Sequence, residues 1–270
     1  MKLVTVATES KSYMPFLEES CKRFNADLII LGWGETWTGF SFKFELMIDF
    51  LKEQPSDEII CFIDAYDVLL LRPLSELETT FRTVTDITGH NVIFGYDRAP
   101  SQLVKIINNA HMGTCHGISL NSGTYIGYAK DLLKIISACY TYPEADDQQE
   151  VIKYANKYPH DIFIDTNSIF FITINNPYGT FMYDKTITVK NKKVLYRGLY
   201  PFFAHGNGNT NMIELIEKLG YNIKNGFKNT LPMNQRIIQI KKVWCYFYQY
   251  IISLIIIICL IIYVIYKYYK

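Results

Sequence analysis

The sequence predicts an α/β chain with a mainly parallel sheet, flanking helices and a C-terminal transmembrane helix. Three observations carry that prediction. Short apolar runs alternate with stretches of helical period from the first residues onward. Two carboxylates, Asp64 and Asp67, stand where the third apolar run ends, and residues 243–266 carry no charged side chain. Residues 3–7 form the first strand. Tyr13, Phe16, Leu17, Cys21 and Phe24 recur at helical spacing, and residues 28–31 form a second strand. A helix over 42–51 and a strand over 59–63 complete βαβαβ, the Rossmann-like first half of a nucleotide-binding domain.

Beyond it the spacing predicts a helix over 73–81 opened by Pro73 and a strand over 92–94. Residues 100–119 are the least periodic and read as a loop or flap. Asn121, Ser122 and Gly123 turn into a strand over 124–128, residues 132–140 and 147–156 read as helices, 162–164 and 170–174 as extended, and 211–219 as helical. The domain is expected to span 1–221, with a polar linker over 222–242, a span over 243–266 and a short basic tail over 267–270. A run of that length at about 1.5 Å per residue crosses a hydrocarbon layer of about 30 Å. Tyrosines at 246, 248, 250, 263 and 266 lie toward its ends, and lysines at 241, 242, 267 and 270 close it. With no cleavable leader visible at the N-terminus, the expected location is a membrane, as a single-pass C-terminal anchor with the soluble domain on the cytosolic side.

Composition narrows the function. A chain of 270 residues with 49% hydrophobic and 20% charged residues has material for a sizeable core. Its 27 basic and 26 acidic residues give no basic excess for a phosphate backbone, so nucleic acid is not an expected partner. Six cysteines without CxxC spacing predict neither a disulfide frame nor a zinc site.

The sharpest motif is Phe62-Ile63-Asp64-Ala65-Tyr66-Asp67-Val68. Ligands of open α/β sheets bind beyond the carboxyl ends of strands, and two hard oxygen ligands there suit Mg²⁺ or Mn²⁺ holding a diphosphate. Tyr66 between them is placed to stack on a base. A strand-end turn in which Asp caps the following chain fits the spacing equally well. In Phe203-Ala204-His205-Gly206-Asn207-Gly208, a histidine precedes two glycines that let backbone approach a ligand; a structural histidine is the plainer reading. Asp146 and Asp147 stand where a helix begins, and capping explains them by itself. Gly32-Trp33-Gly34-Glu35-Thr36-Trp37 starts like a dinucleotide fingerprint but has Trp37 in place of the third glycine, and neither a phosphate loop nor a nucleophile elbow is present.

Taken in order, these segments resemble the glycosyltransferase domain of the procollagen lysyl hydroxylases. The residues that carry the resemblance are Val4-Thr5-Val6-Ala7-Thr8, Leu31-Gly32-Trp33-Gly34-Glu35-Thr36-Trp37, Ile63-Asp64-Ala65-Tyr66-Asp67-Val68, Asn121-Ser122-Gly123-Thr124-Tyr125-Ile126-Gly127-Tyr128, Asp146-Asp147-Gln148 and His205-Gly206-Asn207-Gly208. The resemblance implies a GT-A-type fold that moves glucose or galactose from a UDP-sugar, with Mn²⁺, to hydroxylysine or galactosyl-hydroxylysine of a collagen-like protein. It implies Asp64, Asp67 and His205 as metal ligands, Thr8 and Tyr66 as uridine contacts, and Trp37, Lys43, Gly206 and Gly208 around the UDP. It also implies catalytic-pocket roles for Asp97, Asn121, Asp146 and Asp147.

Three departures from the family pattern stand out. The acidic run before Gln148 is short, Thr124 replaces a glycine, and no lysine follows the His-Gly-Asn-Gly segment. Lysine hydroxylation is not expected, since no H-x-D iron pair is present. The competing readings are transfer to another glycan or to a lipid-linked acceptor, and a non-catalytic membrane-tethered binding module.

Overall fold

The computed structural model describes residues 1–99, 105–106, 109–110, 112–141, 145–174, 187–207, 210–223, 251–252 and 254–268. The chain divides into two units, Met1–Lys228 and Asn229–Lys270. The first contains strands β1 (Lys2–Val6), β2 (Leu28–Leu31), β3 (Ile59–Ile63), β4 (Val68–Leu70), β5 (Val92–Tyr96), β6 (Leu120–Tyr128), β7 (Phe163–Ile164), β8 (Phe171–Thr173), β9 (Ile187–Lys190), β10 (Lys193–Tyr196) and β11 (Phe203–His205). Its described helices are α1 (Met14–Arg23), α2 (Phe42–Lys52), α3 (Leu74–Thr88), α4 (Ala129–Cys139), α5 (Asp147–Lys157) and α6 (Ile213–Lys218).

A six-stranded sheet runs β2-β1-β3-β6-β5-β7. It is mixed but mainly parallel: β6 alone runs against the other five, pairing antiparallel with both β3 and β5, while the other pairings are parallel. Strand β3 is buried along its whole length, which is why it reads as an unbroken apolar run. Its residues alternate between two cores: Ile60 and Phe62 face the side of α2, α4 and α5, whereas Ile59, Cys61 and Ile63 face that of α1 and α3. Pro73 forms the N-cap of α3 in an extended conformation, and Gly89 ends that helix at φ +72°, a left-handed position that favours glycine.

Residues 121–123, expected as a turn, belong to β6. The register slips between Phe94 and Gly95, so β6 continues past a bulge with Gly95 opposite Asn121. Small polar residues looked like a turn because the sequence does not show the pairing of Asn121 with Gly95 across the bulge.

A second sheet of three strands runs β4-β11-β8. Two short connections lead into it from the first. Residues 64–67 carry the chain from β3 to β4, and residues 165–170 carry it from β7 to β8. At the latter crossover the buried Asp165 carboxylate accepts backbone N–H groups of Ile169 (2.8 Å), Phe170 (2.7 Å) and Phe171 (2.9 Å). Burial outweighs these bonds and pushes its pKa up from 3.8 to about 6. A folded-state pKa above the unfolded value makes this contribution complete below about pH 4 and lost as pH rises through about 6. Two pKa units correspond to roughly 3 kcal/mol. Asp165→Asn is expected to flatten that part of the pH dependence, measured as urea midpoints at pH 4 to 7 for both chains; parallel curves would refute it.

The C-terminal expectation is corrected. Residues 243–250 lie outside the described residues, and 251–252 and 254–268 are helical. No helix among the described residues is long and apolar enough to cross a membrane. The transmembrane helix, the membrane as a partner and the membrane location with a cytosolic-facing domain therefore lose their support.

Candidate active site

The two sheets meet at the 64–67 crossover, and the site follows from that seam. Asp64 lies one residue past β3 and is tethered by its N–H to the carbonyl of Gly123 (2.8 Å). Asp67 lies one residue before β4, and its carbonyl accepts the N–H of Gly206 (2.7 Å). β11 runs antiparallel to β4 with His205 opposite Val68, so the last residue of β11 arrives beside Asp67. One ligand atom each from Asp64, Asp67 and His205 lie within 4.8 Å of one another.

The surrounding charges are organised by Lys43 on α2. Its Nζ stands 2.7 Å from Asp147 Oδ2 and 3.1 Å from Asp64 Oδ1. Ser122 donates to the same Asp147 oxygen (2.9 Å). Burial pulls the Lys43 ammonium down, but Asp147 and Asp64 outweigh it and hold it above the ordinary lysine value. Burial pushes the Asp64 carboxyl up, with Lys43 opposing and Asp67 reinforcing. Burial pulls the His205 imidazole down, and Asp67 and Asp64 more than reverse this. Three carboxylates facing one ammonium leave an excess of negative charge, which suits a divalent cation.

His205 is 1% exposed. Its Nδ1 lies 3.1 Å from Asn121 Oδ1, whereas Nε2 is buried without a hydrogen-bond partner, although Asp67 Oδ1 is 3.3 Å away. A buried imidazole nitrogen facing one carboxylate oxygen at 3.3 Å, with a second carboxylate beside it, is an arrangement that a cation explains. Two oxygens and an imidazole form a donor set that Mn²⁺ accepts.

The other expected residues fall in several places. Asp146 caps α5, its Oδ1 accepting the N–H of Gln149 (3.0 Å), as the plainer reading has it. Asp97 is buried, and its Oδ1 accepts from Asn207 Nδ2 (3.2 Å) in the segment after β11. Thr8 donates its N–H to the Tyr66 hydroxyl (3.1 Å), which itself donates to the carbonyl of Glu9 (3.2 Å), so these two sit together. Trp37 packs edge-on against Phe40 and Phe42 just before Lys43 in the chain and is 40% exposed. Gly206 is packed against Met212, where a Cβ would come within 2.6 Å of Sδ. Gly208 lies outside the described residues.

Sequence reasoning missed Gly123 as part of the site. A Cβ there would collide with Asp64 Oδ2 and come within 2.6 Å of His205 Cε1. A glycine inside a strand marks a close approach, and that signal was hidden by the turn-like neighbours. Gly123→Ala is expected to push the carboxylate and the ring apart and cost about 1–3 kcal/mol by overpacking. Mn²⁺ titration should show binding lost in a chain that still unfolds cooperatively; wild-type affinity would refute this.

A family model described as the PLOD GT domain matches residues 1–231, so the chain belongs to the PLOD GT domain family. Among curated proteins it is similar to a multifunctional procollagen lysine hydroxylase and glycosyltransferase of Caenorhabditis elegans, 27% identical over 226 residues, covering 76% of this chain and 30% of that protein. It is also similar to the Homo sapiens protein named multifunctional procollagen lysine hydroxylase and glycosyltransferase LH3, 28% identical over 246 residues, covering 83% and 32%. The chain thus spans about a third of the length of these relatives. A solved structure of a glycosyltransferase involved in glycosylation of the major capsid of PBCV-1 is similar at a TM-score of 0.44 and 13% identity, covering 80% of this chain and 97% of that one.

Proposed function

We propose that this domain transfers glucose or galactose from a UDP-sugar, with Mn²⁺, to hydroxylysine or galactosyl-hydroxylysine of a collagen-like protein. The observation that carries the reading is the convergence of Asp64, Asp67 and the unpaired Nε2 of His205 at the seam of two sheets. Family membership supports the transferase class, and the names of the relatives supply the collagen acceptor.

Asp64, Asp67 and His205 would hold the ion, whose bound chemistry is to neutralise the charge that grows on the leaving diphosphate. Lys43 keeps a permanent positive charge at the same place and adds to that stabilisation. Asp147 and Ser122 hold the ammonium in position and keep its buried charge compensated. Thr8, Tyr66 and Trp37 form the proposed nucleoside side, where the exposed Trp37 ring and the half-buried Tyr66 ring suit an aromatic base. Asp97 and Asp146 remain the proposed acidic residues of the sugar and acceptor side, and Gly206 and Gly208 the proposed close backbone approach.

The test is release of UDP from UDP-glucose and from UDP-galactose, each with and without Mn²⁺ and with hydroxylysine or galactosyl-hydroxylysine peptides. Mn²⁺-dependent turnover with one donor, raised by one of these acceptors, is the expected result. Turnover indifferent to Mn²⁺, or no turnover with either donor, would overturn the reading.

A further inference from the structure

We infer that Asn121 is a positioning residue whose side-chain oxygen, anchored by the Gly123 backbone, keeps the His205 proton on Nδ1 and so leaves Nε2 as a lone pair toward Asp67. The inference deepens the proposed metal site and takes its functional meaning from it. It assigns Asn121 to the imidazole rather than to the sugar.

The argument is one of donors and acceptors. The backbone N–H of Gly123 can only donate, so the Asn121 atom 3.0 Å from it is the oxygen and not the amide nitrogen. That same oxygen lies 3.1 Å from His205 Nδ1. An amide oxygen has no proton to offer, so Nδ1 must supply it. A neutral imidazole carries one N–H, and Nε2 is then an acceptor. Nε2 then presents its lone pair toward Asp67 Oδ1, 3.3 Å away, where an ion could bind both. Metal-ligating histidines are held in this way, by a bond at the nitrogen that does not ligate.

Strand geometry explains why this segment can do it. Asn121 and Gly123 are two apart in β6 and share one face, which meets His205. The missing Cβ of Gly123 makes room for the ring, while its N–H fixes the amide. Ser122 faces the opposite way and reaches Asp147, the partner of Lys43. Three consecutive small residues thus set the imidazole from one face and the lysine from the other. Asn121 is 1% exposed, so its oxygen is committed inside the protein.

The experiment uses the full chain, labelled with ¹⁵N-histidine, free of metal and at a pH above the imidazole titration, where long-range ¹H–¹⁵N correlations distinguish the two tautomers. His205→Gln identifies the His205 signal among the five histidines. Mn²⁺ affinity is read separately from the electron paramagnetic resonance signal of the free ion. Wild type is expected in the Nδ1–H form. Asn121→Leu should lose that preference and weaken Mn²⁺ about 10–100-fold. Asn121→Asp, which keeps an acceptor oxygen, should restore both.

An Nε2–H tautomer in wild type overturns the inference without need of any variant. So does an Asn121→Leu chain that keeps the Nδ1–H form and wild-type affinity. An Nδ1–H tautomer in a wild-type chain that binds no Mn²⁺ supports the Asn121 assignment and overturns the metal reading instead.

Discussion

Replacing His205 with alanine is expected to abolish Mn²⁺-dependent UDP-sugar turnover, and Asp64→Ala is expected to do the same. Each removes a donor from a set of three whose atoms lie within 4.8 Å, and the remaining pair offers a divalent ion an open and mobile site. The loss should exceed the roughly 10–100-fold that accompanies removal of an outer partner of a ligand. His205→Ala also frees the oxygen of Asn121 and opens a void beside Gly123, so a modest fall in stability should accompany the loss. Initial rates across a Mn²⁺ titration check the prediction. If either variant turns over at the wild-type rate, the triad is not the metal site.

Lys43→Met is expected to act on both stability and catalysis. The ammonium bridges Asp64 and Asp147, with Lys43 and Asp147 side chains only 10% and 7% exposed. Its removal leaves two carboxylates facing each other in a poorly solvated place, a loss of about 3 kcal/mol. Mn²⁺ affinity should hold or rise, because the site becomes more negative. Turnover should fall about 100–1000-fold, since a fixed positive charge facing the leaving diphosphate is gone. That opposition between retained metal affinity and lost turnover separates Lys43 from the ligands. A variant with unaltered urea midpoint and unaltered turnover would show that Lys43 is neither a brace nor a catalytic charge.

Much of the first half was legible because its elements are defined by local pattern. β2 and β3 coincide with the apolar runs over 28–31 and 59–63, and α1 and α2 follow the three- and four-residue spacing. α3 extends to Thr88, beyond the apolar residues that signalled it, and stops where Gly89 turns left-handed; the hydroxyls of Thr79, Thr80, Thr83 and Thr88 are satisfied by carbonyls of their own helix. Of the second sheet only β8 was legible, inside the extended run over 170–174. β4 and β11 have three residues each, too few for a period to declare itself, and β11 is a strand because it pairs with β4 on one side and β8 on the other. For the apolar run over 243–266, no helix among the described residues is long and apolar enough to cross a membrane.

The sequence by itself determined which side chains are candidates for the chemistry: two aspartates flanking a tyrosine past a buried strand, a histidine before glycine and, through the family resemblance, a lysine at the start of a helix. These are properties of residue type and of near neighbours, and no folding is needed to state them. Tertiary structure decided which of them meet. His205 is far along the chain from Asp64 and Asp67, and only the pairing of β11 with β4 brings the imidazole to the crossover. It also decided that Asp146 caps a helix while its neighbour Asp147 holds Lys43, and that Asn121 turns to the imidazole. The physical reason is that a hydrogen bond or an ion pair depends on distances of about 3 Å between atoms. Sequence separation does not encode such distances, and sheet register does.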